Sequence, residues 1–255
     1  MITIAFENQK GGVAKTTTCI NLAVGLHDSE KKVIVIDLDP QASLTNTFIE
    51  DQDYEKTIAD CFDDSVTTEN AIIHTTAGID LIPSSLDLKR YEDKMMIDIS
   101  KPAHNRLQKV INAIRNDYDY CLVDCGPTVD RLSLNACFAA NLIIAPIEPT
   151  KKAIISFRDT LNQINFGREN YGSHTEYKVL ITKVNRTKND REIADELEDI
   201  FKNRIYRTRI RYQSAPISNA DCYGEYVIQD RNSGVGEDYH KFVQEVLSDF
   251  GDSSL

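Results

Sequence analysis

Apolar runs at residues 2–6, 33–36, 79–82, 120–123, 142–145 and 177–181 recur along the chain, each closed by turn-forming or acidic residues. Runs this short, rich in Val and Ile and bounded in this way, predict buried strands. The stretches between them repeat their apolar positions at helical spacing and predict helices over 16–28, 84–96, 105–116, 131–140, 151–167, 188–201 and 238–250. Strands alternating with helices specify an α/β fold, a mainly parallel β-sheet with helices on both faces. Open sheets of that kind bind ligands beyond the carboxyl ends of their strands, so the residues that follow each apolar run are the candidates for chemistry.

Composition narrows the class. With 255 residues and 41% hydrophobic content the chain can bury one sizeable core, and one domain over residues 1–255 is expected, with 251–255 as a frayed tail. There is no run of 18 apolar residues and no basic or apolar leader, which predicts a cytoplasmic protein with no membrane partner. Cys19, Cys61, Cys121, Cys125, Cys137 and Cys222 form no C-x-x-C pair, so buried reduced thiols are expected rather than zinc or redox chemistry. A net charge of −11 excludes nucleic-acid binding by the surface as a whole. Lys202, Arg204, Arg207, Arg209 and Arg211 nevertheless form a cationic run with no acid inside it, a candidate patch for DNA phosphates. A solvated surface is the plainer reading, and strand alternation through Ile205, Tyr206 and Ile210 prevents all five cations from pointing one way.

The first apolar run leads directly into Asn8-Gln9-Lys10-Gly11-Gly12-Val13-Ala14-Lys15-Thr16-Thr17 and then into a predicted helix. A helix start carries partial positive charge and unpaired N–H groups, so a lysine there costs roughly 0.3–1 kcal/mol unless an anion offsets it. Lys10 and Lys15 bracket this turn, and Gly11 and Gly12 let the backbone bring N–H donors to an oxyanion. The strict pattern G-x-x-x-x-G-K-[ST] fails, since Gln9 and Ala14 stand where its glycines belong, but K-G-G-x-x-K-[ST] fits. Two later strands also end in acids. The run at 33–36 meets Asp37-Leu38-Asp39-Pro40-Gln41, and the run at 120–123 meets Asp124-Cys125-Gly126-Pro127. Paired buried acids are costly without a cation, whereas a solvated Asp-Pro turn would need none.

In the order and spacing of these three segments the chain resembles the deviant-Walker-A class of P-loop ATPases that includes ParA, MinD and the nitrogenase iron protein. The resemblance implies a P-loop NTPase-like fold, Mg²⁺-dependent ATPase activity, and ATP and Mg²⁺ as cofactors. It places Gly11, Gly12, Val13, Ala14, Lys15, Thr16 and Thr17 around the phosphates. It assigns Lys15 to the β- and γ-phosphates, Thr16, Asp37 and Asp124 to the Mg²⁺ shell, and Asp39 to the attacking water. Lys10 is the signature lysine that reaches the nucleotide of a second subunit, which implies a homodimer in the ATP state. Two positions depart from the usual pattern: Ala14 replaces a common glycine, and Gly126 stands in the D-x-P-P segment. Thr182-Lys183-Val184-Asn185 lacks the carboxylate of the guanine-reading N-K-x-D motif, and the Asn185 amide suits an adenine edge, though a turn-forming Asn reads equally well.

Features outside the nucleotide segments separate the members. No second cysteine pairs convincingly with Cys125 to hold an iron–sulfur cluster, which argues against the nitrogenase branch. The last helix is amphipathic but lacks a basic polar face, which argues against a MinD-like membrane cycle. A ParA/Soj-type partition ATPase fits from Ile2 onward, including Ser218-Asn219-Ala220 and Ser233-Gly234-Val235-Gly236. That branch implies nonspecific duplex DNA and a ParB-like centromere-binding partner that stimulates hydrolysis, with a nucleoid-associated location. A ParA-like ATPase that positions a protein cargo is the alternative.

Overall fold

The computed structural model describes residues 1–49, 54–97, 104–128, 130–217 and 225–251. Of the tail expected at 251–255, Gly251 instead ends the last helix, while 252–255, the Ser218-Asn219-Ala220 segment and Cys222 lie outside the described residues.

The elements run β1 (Ile2–Phe6), α1 (Lys15–Asp28), β2 (Val33–Leu38), α2 (Ser43–Phe48), α3 (Ile58–Asp63), β3 (Ile73–His74), β4 (Asp80–Ile82), α4 (Asp87–Ile97), α5 (Arg106–Ala113), β5 (Tyr120–Cys125), α6 (Arg131–Ala139), β6 (Leu142–Ile147), α7 (Ala153–Tyr171), β7 (Glu176–Val184), α8 (Lys188–Phe201), β8 (Ile205–Arg211) and α9 (Gly234–Gly251). The strands form one sheet in the order β3-β4-β2-β5-β1-β6-β7-β8, parallel except for the short β3–β4 pair. This is the doubly wound α/β architecture that the alternating pattern predicts.

Side chains of successive strand residues leave the sheet on opposite faces. Ile4, Phe6, Val33, Val35, Leu122, Ile144 and Leu180 therefore pack under α1 and α9 with Leu22, Leu26, Phe242 and Val246. Ala5, Ile34, Ile36, Cys121, Val123 and Ile143 face the opposite layer with Leu107, Val110 and Leu132. Both faces are covered, so the central strands are apolar throughout, as parallel sheets require.

Several elements were not legible in the pattern. The helix expected to begin at Asp238 starts at Gly234, because Ser233 accepts from the Gly236 amide and the Ser233 carbonyl accepts from Glu237. Gly236 is required within the helix, where a Cβ would run into the Asp230 carbonyl. Helices α2 and α3 are six residues each, too short for helical periodicity to register.

Candidate nucleotide site

β1 lies between β5 and β6, so its carboxyl end opens where the chain winds off to both sides of the sheet. The loop 8–14 leaves this point and feeds α1. Gly12 has φ 77° and Ala14 φ 69°, both left-handed, so the turn needs that conformation twice. Glycine adopts it at no steric cost, whereas Ala14 bears roughly 1–2 kcal/mol of Cβ crowding. The missing glycine thus changes the strain of the loop and not its path.

The ends of β6 and β7 brace the loop from outside. Asn8 Nδ2 donates to the Pro146 carbonyl at 2.7 Å, and Asn8 Oδ1 accepts from the Lys10 amide at 3.0 Å. Thr182 Oγ1 donates to the Val13 carbonyl at 2.9 Å, and Lys183 Nζ donates to the Gly12 carbonyl. Lys15 is buried, with Nζ donating to the Asn8 carbonyl at 2.8 Å across the mouth of the loop.

The acids converge on the same point. Parallel pairing sets Asp37 of β2 beside Asp124 of β5, and both are fully buried. Thr16 Oγ1 donates to Asp124 Oδ2 at 2.7 Å, while Asp124 Oδ1 is buried without a hydrogen-bond partner. Burial, with Asp37 next to it, holds the Asp124 carboxyl well above the usual range. Burial likewise raises Asp37 to about 6, although hydrogen bonds from Thr45 and the Asp39 amide oppose the shift. A buried carboxylate oxygen with no donor, next to a second acid, is a site that a cation would relieve.

Both oxygens of Asp37 are held by donors of its own chain. Its Oδ1 accepts from the Asp39 amide at 2.9 Å, and its Oδ2 accepts from the Thr45 amide at 2.9 Å and the Thr45 hydroxyl at 2.8 Å. It therefore clamps the turn that carries Asp39. Asp39 lines the cleft, with its carboxylate carbon 3.5 Å from where a Cβ on Gly126 would stand.

The cleft over the loop encloses about 560 Å³ and is walled by Thr16, Asp39, Lys183, Arg211 and Tyr226, among others. Asn185 is not on its wall: the Asn185 carboxamide and amide both donate to Asp190 at the start of α8, which is the turn role. Lys10 is paired within its own chain with Glu148, just past β6, and Glu148 also lies 3.7 Å from Lys183.

The cationic run does not form one patch. Arg211 binds Asp238 through both Nε and Nη2 at 2.7 Å and lines the nucleotide cleft. Arg209 binds Glu198 and Asp195 at 2.7 and 2.6 Å, and Arg204 lies 3.3 Å from Glu176 and over the Tyr177 ring. Acids of α8, β7 and α9 neutralise these three, leaving Lys202 and Arg207 as the exposed members. Glu148 and Thr182 were missed as site residues, since only the fold brings them to the loop, and the fold likewise supplies the Pro146 carbonyl that anchors Asn8.

Residues 1–190 match a family model described as an AAA domain. The sporulation initiation inhibitor protein Soj of Bacillus subtilis is 30% identical over 250 residues, covering 96% of this chain and 98% of Soj. The chain belongs to the ParA/Soj family of P-loop ATPases. The chromosome partitioning protein ParA of Caulobacter vibrioides is 29% identical over 254 residues, covering 96% of this chain and 93% of that protein. A cobyrinic acid a,c-diamide synthase from Mycobacterium smegmatis, solved with an ATP analogue and magnesium, superposes with a TM-score of 0.85. That match covers 99% of this chain and 97% of the other at 23% identity, and it is a likeness of fold. Function within the ParA/Soj family must therefore be argued from the site.

Proposed function

We propose that the chain is an ATP-driven partition switch: it binds ATP with Mg²⁺ at the loop 8–17, pairs with a second copy in that state, and resets by hydrolysis. The observation that carries this reading is the Thr16–Asp124 contact at 2.7 Å, with Asp124 Oδ1 left without a donor beneath Lys15. Mg²⁺ usually takes one or two protein groups and completes its shell with phosphate and water. Among the described residues no three acids, histidines or cysteines gather to hold a metal alone, in keeping with a metal shared with phosphates. Thr16 and Asp124 would hold Mg²⁺, which would neutralise charge on the transferring phosphoryl group.

The chain's own groups supply the rest. Lys15 cancels phosphate charge, the Gly11–Thr17 backbone donates N–H groups, and Asp37 fixes the turn that presents Asp39 to the attacking water. Lys10 is the group offered to a partner's nucleotide, so its exchange out of the Glu148 pair accompanies dimerisation. The bound dimer would sit on duplex DNA, and a ParB-like partner would trigger release. A membrane cycle is disfavoured because α9 buries Val235, Tyr239, Phe242, Val243 and Val246 in the core. The nucleotide site and the net charge of −11 also fit a protein-cargo ATPase, and DNA binding by the ATP state separates the two readings.

Nucleotide titration with sizing chromatography tests the assignments. Lys15→Ala is expected to lose roughly 100-fold or more in affinity for ADP and ATP. Lys10→Ala should retain ADP binding and lose the ATP dimer. Asp39→Ala should bind Mg·ATP and accumulate as dimer while turnover falls by roughly 10²–10⁴, the scale of a lost proton-transfer or water-positioning group. A stable ATP dimer in Lys10→Ala would remove the trans role of that lysine.

A further inference from the structure

Lys183 is the least expected residue on the cleft wall. The pairing of β7 with β8 slips between Ile181↔Arg209 and Val184↔Arg211, so three steps on β7 oppose two on β8. The extra residue makes a bulge, and Lys183 within it has φ 55°. Left-handed backbone is unfavourable for a residue with a Cβ and persists where the surroundings enforce it. Bulges of this kind re-aim a side chain. Here the bulge sends the Lys183 ammonium to the Gly12 carbonyl, while Glu148 lies 3.7 Å from the same ammonium and holds the outer lysine, Lys10.

The neighbouring Thr182 hydroxyl holds the next carbonyl, Val13. Two consecutive loop carbonyls are therefore fixed by two consecutive residues of β7. In a trans peptide the C=O of one residue and the N–H of the next point in opposite directions. Fixing the Gly12 and Val13 carbonyls thus also fixes the N–H groups of Val13 and Ala14, turned away from the end of β7. With Gly12 and Ala14 both left-handed, those N–H groups belong to the type of concave backbone nest that binds anions.

We propose that Lys183 is a positioning residue for nucleotide binding: from the β7 bulge its ammonium orients the Gly12–Val13 peptide and so sets the N–H cradle for the phosphates. The inference rests on the ATPase reading above and adds a determinant outside the phosphate-loop motif. A cradle set before the ligand arrives acts on ADP and ATP alike, and it acts on binding more than on the chemical step. A charged hydrogen bond of this type is worth about 1.5–3 kcal/mol, on the order of a tenfold change or more in affinity.

Calorimetric titration of ADP and a non-hydrolysable ATP analogue into wild type, Lys183→Met, Lys183→Arg and Lys183→Gly tests this, with melting temperatures measured in parallel. Lys183→Met removes the ammonium, keeps a long stem, and should weaken both nucleotides about tenfold while turnover at saturating ATP stays within about twofold. Lys183→Arg should restore most of the affinity. Lys183→Gly relieves the left-handed backbone, so it should bind as weakly as Lys183→Met with an equal or higher melting temperature. Affinity within twofold of wild type in Lys183→Met, or a loss of affinity that merely tracks a fall in melting temperature, would overturn the proposal. Wild-type protein that binds neither nucleotide would instead sink the ATPase reading itself.

Discussion

Glu7 follows β1 and is fully buried, with the Cys125 thiol against its carboxylate. Burial pushes its pKa up to about 8, against the pull of Lys15. In the unfolded chain the same carboxyl ionises near 4.5. Between those values the native state keeps a proton that the unfolded state has lost, so stability falls as pH rises through the window and levels off above it. Asp37, raised from 3.8 to about 6, adds a contribution of the same sign over a lower range. Glu7→Gln keeps the shape and removes the ionisation. It should therefore flatten the decline in stability between pH 5 and about 8, and at the upper end stabilise the fold by on the order of a few kcal/mol. Urea melts of both proteins across that range check this, and identical slopes would show that Glu7 is not the titrating group.

The packing of α1 on α9 depends on one missing side chain. A Cβ on Gly25 would lie 2.5 Å from Val243 Cγ2 and 2.8 Å from Ile228 Cδ1, so glycine sets how closely the two helices approach. Gly25→Ala gains up to about 1 kcal/mol of helix propensity but forces both side chains aside, and overpacking costs about 1–3 kcal/mol. We expect net destabilisation by chemical denaturation, recovered only in part in Gly25→Ala/Val243→Ala because Ile228 still has to move; a more stable single variant would show that α9 slides to accommodate the methyl. The opposite side of α9 closes the sheet edge, where Glu245 accepts from the Arg207 and Thr208 amides and Asp238 from the Arg211 amide. Those carboxylates occupy donors that an added strand would use. Six of the eight strands, the helices of eight residues or more and the phosphate loop were legible because each is written in consecutive or periodic residues, whereas β3 is two residues long and β8 alternates cations with its apolar positions. The groups that hold the loop were not, since Asn8 meets a residue 138 positions away, and Thr182 and Lys183 meet residues 169 and 171 positions away. Lys183 carried only a local signal, as the lysine of an incomplete base-reading motif. The cationic run was legible as charge, but its neutralising acids come from other elements.

Across the whole molecule, a net charge of −11 opposes DNA everywhere except where cations stand clear of acids. Arg209 and Arg211 are held by Glu198, Asp195 and Asp238, so reversing their charge breaks intramolecular pairs and disturbs the cleft wall before it tests any DNA surface. Lys202 and Arg207 are the exposed pair from that run. If each contributes one phosphate contact, a protomer offers two and an ATP dimer four, which corresponds to a log–log salt slope of about −3 to −4. Two weak sites on one body also gain from effective concentration, which is how nucleotide state could control DNA affinity without a new contact. We therefore expect wild type with ATP and Mg²⁺ to bind duplex DNA of any sequence at low salt, and protein with ADP to bind far more weakly. Lys202→Glu/Arg207→Glu should abolish the binding and keep ATP dimerisation. Gel shifts over a salt series, with sizing chromatography of the same samples, measure both. Unchanged affinity and slope in that variant would move the DNA surface elsewhere on the dimer. A wild-type ATP dimer that ignores DNA even at low salt would favour a protein cargo as the object being positioned.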